Sequence, residues 1–483
     1  MIFTPYSLLL TPDCRFMFWD HAIINGTLVT PRECYKANIY IKDGKISAIT
    51  DGLLEGGAKE VTDAAGKFVF PGFIDSHVHS RDGVKGRWDK EDFFHSTMAG
   101  ACGGITTLVE MPNTYPPVYN VETMNSLIET ITPKAHIDFG VWGMCMGKLN
   151  NGEITKMAAN GLTAFKYFWG YALDLNSYAL IYNYKEGMQN VLPPLNDGEV
   201  FTIFREVAKT GRPIGIHAEN FWLVRELTEE VAEAGERDYA AVLKSRPAIS
   251  EVTTIQTAIA FAKATGARLH VLHLAAGDGV EVIRRAKRDG VQITVETCPH
   301  YLFLSDEDFE RTGALLKTYP VVRTRYDQEL LWEGLRDGTI DFIATDHAPH
   351  LAEEKQRDYW DALAGISGVE INVPLMLSAV NEGKATLNQA AAWLSENSAK
   401  VFGWYPQKGS LRVGTDADIA IVDMDAEYTF DQSTMHSRTK LSPYHGRRMK
   451  GRVVQTILRG VTIAKDGEIV GDPHGRWIPS GSS

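Results

Sequence analysis

Between residues 68 and 400, apolar runs rich in β-branched residues alternate with stretches of good helix formers, and eight of the runs read as strands. They are FVFPGFIDSHVH, ITTLVEMP, HIDFGVWGMC, LTAFKYFWG, RPIGIHAE, RLHVLHL, QITVETCPHYL and DFIATDHAPH. Segments such as GEVFTIFREVAKTG and DGVEVIRRAKRDG lie between them. Alternation of this kind predicts a parallel sheet, and eight units predict an α/β fold closed as a (β/α)8 TIM-type barrel. An open doubly wound sheet would need a glycine-rich phosphate loop after its first strand, and SHVHSRDG is not one.

Short strand-like runs also open and close the chain: HAIINGTLVT and ANIYIKDGKISAIT, then DADIAIVDMDA and VVQTILRGVTIAKDGEIV. Turn-forming Asp-Gly pairs interrupt them. They predict a small β-sandwich domain built from both ends of the chain. The expected division is an N-terminal arm (1–19), an N-terminal sandwich segment (20–67), the barrel (68–400), a C-terminal sandwich segment (401–475) and a tail (476–483). The arm is aromatic-rich, with Phe3, Tyr6, Phe16 and Phe18, and is expected to pack on a neighbouring copy. The closing Ser-Gly-Ser-Ser reads as disordered. A long segment from Ala172 to Asp197 is expected to lid the barrel mouth.

The net charge of -12, from 49 basic and 61 acidic side chains, argues against nucleic acid or an anionic membrane as partner. It leaves an anionic small substrate open, because one local arginine dominates its own pocket. Cysteines 14, 34, 102, 145 and 298 are odd in number and show no CxxC spacing, which fits a reducing compartment such as the cytoplasm. No apolar run approaches 18 residues, and the first residues lack the basic start and cleavage site of a signal peptide.

In such a barrel the C-terminal strand ends face the active site. There the sequence puts His77 and His79, Lys166, His217, His273 and Asp346. Singly, each has an ordinary explanation: a histidine bonded to backbone, a lysine paired with a carboxylate, an aspartate capping a turn. Together they converge on one mouth, with His77 and His79 on one face by strand parity. Imidazole and carboxylate suit zinc and similar divalent ions. A lysine ammonium repels cations. If its neutral amine, favoured by burial, has reacted with CO2, the resulting carbamate is an anion able to bridge two ions.

PGFIDSHVH, GLTAFKYFWGY, IGIHAEN, LHVLHLAA, VETCPHYLFL and FIATDHAPH resemble the amidohydrolase superfamily, and within it the cyclic-amide branch of dihydroorotases, allantoinases and hydantoinases/dihydropyrimidinases. The resemblance spans essentially the whole chain. It implies two divalent ions per chain, zinc or else manganese. His77, His79 and Asp346 would hold one ion, His217 and His273 the other, with N6-carboxylated Lys166 between them. It further implies that water activated by the ions attacks a ring carbonyl, with Asp346 relaying the proton to the departing nitrogen. Tyr171 resembles the hydantoinase tyrosine that steadies the oxyanion. Arg81, Asn113 and His350 match the dihydroorotase residues that grip a substrate carboxylate.

The chain departs from those patterns at Asp82-Gly83, where dihydroorotases have an acidic residue and Pro-Gly. It departs again at Tyr319, where relatives carry Asn or Ser near the ring amide. Gly365, opening GISGVE, is expected to lend backbone groups to the ring. The expectation is a homo-oligomeric hydrolase, tetramer or dimer, that opens a cyclic amide. A dihydroorotate-like anionic ring is favoured, with allantoinase or hydantoinase activity as the alternative. A mononuclear deaminase lacks the bridging lysine. A non-catalytic dihydropyrimidinase-related assembly protein lacks the metal ligands present here.

Overall fold

Eight parallel strands form the barrel in a computed structural model that describes residues 17–481. They are β1 (Phe73–Val78), β2 (Ile105–Glu110), β3 (Asp138–Met144), β4 (Ala164–Trp169), β5 (Pro213–Ala218), β6 (Arg268–Val271), β7 (Ile293–Thr297) and β8 (Phe342–Ile343). Each pairs in parallel with the next. Strands covered on both faces carry apolar residues at nearly every position, hence the unbroken runs in the sequence.

The last strand has two residues, too few to close the ring by a full ladder. Closure comes from the chain just beyond it. His79 N–H donates to His347 O (2.8 Å) and His347 N–H to His77 O (3.2 Å). Thr345 Oγ1 donates to the buried Asp75 carboxylate at 2.6 Å. Ile74, Val109, Trp142, Leu272 and Phe342 belong to one buried cluster that also takes in Phe402 and Trp404.

The terminal segments pair into one nine-stranded mixed sheet. Met17–Val29 pairs antiparallel with Cys34–Lys42 and parallel with Gly57–Asp63 and Phe68–Pro71. Ile419–Thr429 joins the two ends of the chain by pairing with Phe68–Pro71 and Arg448–Leu458. FVFPGFIDSHVH is therefore two strands: its first residues belong to this sheet and its last to the barrel. Residues 17–19, expected in the arm, already lie in the first strand, and Phe18 is 60% exposed there. Phe3, Tyr6 and Phe16 lie outside the described residues. The tail corrects the expectation of disorder as far as Gly481. Phe139 N–H donates to Arg476 O, Ile478 N–H to Phe139 O and Ser480 N–H to Gly161 O, while Arg212 donates to Gly481 O.

A charge network joins barrel and sheet. Buried Lys408 lies 2.6 Å from Asp138, 2.6 Å from Asp418 and 3.0 Å from Asp416. Arg459 also pairs with Asp138, and Lys45 with Asp416. Three carboxylates so close together have the donor set for a cation, and the Lys408 ammonium already occupies that role. The four described cysteines are free. Among the described residues no helix is long and apolar enough to cross a membrane.

Candidate active site

At the C-terminal ends of β1 and β8, the His77 and His79 Nε2 atoms each stand 3.1 Å from Asp346 Oδ1. Across the mouth, His217 Nδ1 faces His273 Nε2 at 3.0 Å. The His77 ring centre is 5.3 Å from that of His273, so the two groups form one cluster. Lys166 on β4 joins them in lining a chamber of about 50 Å³, together with Arg81, Asn113, Tyr171, Tyr319 and Gly365. The strand-end parity read from the sequence thus brings all six ligand candidates to one cavity.

Neighbouring acceptors fix the imidazole tautomers. His77 Nδ1–H donates to Glu296 at 2.5 Å, and His79 Nδ1–H to Asn113 Oδ1 at 2.7 Å. His217 Nε2–H donates to Glu219 at 2.9 Å. Each inward nitrogen then presents a lone pair. His77 Nε2 has no hydrogen-bond partner of adequate geometry. Two lone-pair nitrogens facing a carboxylate oxygen across 3.1 Å repel unless a cation lies among them, so the donor set fits a divalent metal. Burial, reinforced by the facing His217, pushes His273 well below the ordinary imidazole range, and burial lowers His79 to about 4. Neutral imidazole is the metal-binding form.

Asp346 is buried, 8% exposed, with one carboxylate oxygen turned to both imidazoles. Burial pushes the Lys166 ammonium down to about 8 against the pull of Asp346 and Glu296. Its Nζ lies 4.7 Å from the Phe168 ring centre. Backbone strain gathers here too: Arg81 (φ 57°), His273 (φ 37°) and Asp346 (φ 47°) all occupy the left-handed region. Each costs on the order of 1 kcal/mol or more, and such residues cluster at functional sites.

The remaining candidates fall into two groups. Arg81 reaches the chamber from a loop that Asp82 organises by accepting from Trp88 Nε1, Phe93 N–H and Lys134. Its Nε is buried without a partner, and its Nη2 stands 3.5 Å from His350 Nε2. Asn113 lines the chamber but spends its oxygen on His79. Tyr319 lines it with Arg246 stacked 3.6 Å from its ring centre.

His350 lies beside Arg81 and is not among the residues that line the chamber. Its ring stands behind Arg81, donating to Ala364 O at 2.9 Å and accepting from Lys90 Nζ at 3.2 Å, so both nitrogens are engaged within the protein. Tyr171 lines the chamber, yet its hydroxyl contacts His217 Nε2 (2.7 Å) and Glu219 (3.1 Å). The Gly365 N–H donates to Lys317 O at 2.9 Å and its carbonyl accepts from Lys355, so its amide proton is not free for a ring.

Sequence reasoning missed Glu219 and Glu296. Glu219 accepts from His217, Tyr171 and Arg246 on one oxygen. Its spacing of two from His217 put it on the same strand face, which was a usable signal. Glu296 reaches both His77 and His270 from β7, and nothing local announced that. The segment after β4 folds as a small three-stranded sheet, Ala172–Asp174, Leu180–Ile181 and Val191–Leu192, and brings Leu180 and Tyr182 over the chamber.

A parallel barrel thus gathers four imidazoles, a carboxylate and a buried lysine at its C-terminal mouth, a candidate metal centre of a barrel enzyme. The Amidohydrolase family model matches residues 68–463. An L-hydantoinase from Paenarthrobacter aurescens is 36% identical over 457 residues, covering 94% of this chain and 96% of the relative. An allantoinase from Rubrobacter xylanophilus is 37% identical over 468 residues, covering 94% and 97%. Among solved structures, the L-hydantoinase (dihydropyrimidinase) from Arthrobacter aurescens superimposes with a TM-score of 0.89 at 35% identity, covering 96% of this chain and all of that one. A D-hydantoinase gives 0.85 at 31%, covering 95% and 99%. The chain belongs to the amidohydrolase family, in its cyclic-amidohydrolase branch.

Proposed function

We propose that this protein is a binuclear metal-dependent hydrolase that opens the amide bond of a cyclic amide or ureide. The observation that carries the reading is the convergence of His77, His79, His217, His273 and Asp346 on buried Lys166. Hydantoinase and allantoinase relatives support a hydantoin- or allantoin-type ring. His77, His79 and Asp346 would hold one ion, His217 and His273 the second, and Lys166, carboxylated on Nζ, would contribute to both. Zinc suits this donor set, and manganese is the alternative. When bound, the ions polarise the amide carbonyl and acidify the attacking water.

The chain's own residues supply the rest. Asp346 accepts the proton of the attacking water and returns it to the ring nitrogen as that nitrogen leaves. Tyr171 steadies the developing oxyanion by turning its hydroxyl from Glu219. Glu296, Asn113 and Glu219 hold the imidazole tautomers.

Arg81 favours a second, more specific reading, a ring bearing a carboxylate as in a dihydroorotate-like substrate. A half-buried guanidinium at the chamber with no carboxylate partner among the described residues suits an anion arriving with the substrate. Arg81→Met should then cut kcat/KM for such a ring by roughly 10²-fold, about 3 kcal/mol for a lost charged contact. Dihydrouracil should be little affected. The test is purified protein with zinc or manganese, assayed against allantoin, 5-substituted hydantoins, dihydrouracil and dihydroorotate. Equal losses on neutral and anionic rings would make Arg81 structural. A protein inactive on all four classes would defeat the ring-opening reading. In keeping with its branch, we also propose a homo-oligomer, tetramer or dimer, in the cytoplasm.

A further inference from the structure

Lys355 ends the short helix Ala352–Lys355 and is 4% exposed. Its Nζ donates to three backbone carbonyls, Lys317 O, Leu363 O and Gly365 O, each at 3.0 Å. Among the described residues it has no carboxylate partner, and burial pushes the ammonium down to about 7, with nearby Lys317 adding to the shift. A buried cation held by carbonyl dipoles alone is costly unless each donor is satisfied, and here all three are.

The carbonyls belong to two separate stretches of chain. One runs from Lys317 into Thr318 and Tyr319; the other runs from Leu363 through Ala364 to Gly365. Thr318, Tyr319, Ala364 and Gly365 all line the catalytic chamber. Between the stretches the backbone gives Gly365 N–H to Lys317 O at 2.9 Å. Gly365 is backed closely by Ala348: at φ +152° a Cβ would stand 2.2 Å from Ala348 O, so no other residue fits there. Neither stretch is a regular strand, so no sheet ladder holds them in register.

We infer that Lys355 is a positioning residue that clamps the two stretches into one wall against which the substrate ring lies. It touches neither the ring nor the metal ligands; it acts through the carbonyls of Lys317, Leu363 and Gly365. A methionine of similar length would fill its space and leave all three carbonyls without that donor. The kinetic consequence rests on the ring-opening reading, whereas the ordering of the wall does not.

The experiment compares the metal-loaded wild type with Lys355→Met and Lys355→Arg, by amide hydrogen exchange and by steady-state kinetics. Lys355→Met should raise exchange in residues 315–322 and 362–368 by about 10-fold or more, with the barrel strands unchanged, as for a local opening. On a ring the wild type hydrolyses, KM should rise about 10-fold while kcat and metal content change less than about threefold. Lys355→Arg, which keeps charge and donors, should recover a share of both effects. Should the methionine variant fail to fold, Lys355→Gln is read by the same criteria. Wild-type exchange in both stretches would overturn the inference, as would a loss spread evenly over the barrel that arginine does not relieve. If the wild type opens no cyclic amide, the functional reading fails and the exchange result alone decides the role of Lys355.

Discussion

Lys166→Ala should lower kcat/KM by at least about 10³-fold, some 4 kcal/mol of transition-state stabilisation. The side chain is buried and lines the chamber with the candidate ligands, and alanine would remove the carboxylated group proposed to bridge the ions. Short carboxylic acids supplied with metal should restore some of the activity, because a free carboxylate fits the space the side chain vacates. The folded state should persist, since among the described residues the Lys166 ammonium makes no ion pair. Full activity in the alanine variant, with its metal content unchanged, would remove Lys166 from the site.

Lys408→Met should cost the protein about 3–5 kcal/mol of stability at neutral pH, the usual effect of leaving buried charge uncompensated. Asp138 would keep Arg459 and Asp416 would keep Lys45, but Asp418 would keep no cation. Burial already raises the Asp418 carboxyl above its ordinary value, with the Asp138 and Asp416 charges acting the same way and Lys408 opposing. An acid whose folded pKa lies above its unfolded value takes up a proton on folding. The stability of the variant should therefore fall as pH rises above the unfolded value near 3.8 and recover on acidification. Adding Asp418→Asn should restore some of the loss. Denaturant unfolding of the three proteins reads the outcome, and a loss under about 1 kcal/mol would show the cluster to be dispensable.

The sequence made the barrel legible because strands buried on both faces must be apolar throughout, and a polar residue at their ends then stands out. His77, His79, Lys166, His217, His273 and Asp346 were visible for that reason. Residues whose partners lie far along the chain were not. Lys408 meets Asp138 across 270 positions, Glu296 meets His77 across 219, and Lys355 meets Lys317 across 38. His350 shows what a motif alone does not reveal: its two ring nitrogens are engaged by Ala364 O and Lys90 Nζ, partners 14 and 260 positions away. The two-residue β8 was recognisable by its flanking DHAPH motif more than by its length.

Metal content measured together with activity tests the central proposal most directly. The protein is stripped with a chelator, and zinc or manganese is titrated back by elemental analysis while hydrolysis of the best ring in the panel is followed. The account predicts an inactive stripped protein, about two ions bound per chain, and activity that follows the second equivalent. A stripped protein with undiminished activity, or full activity at a single ion per chain, would contradict it.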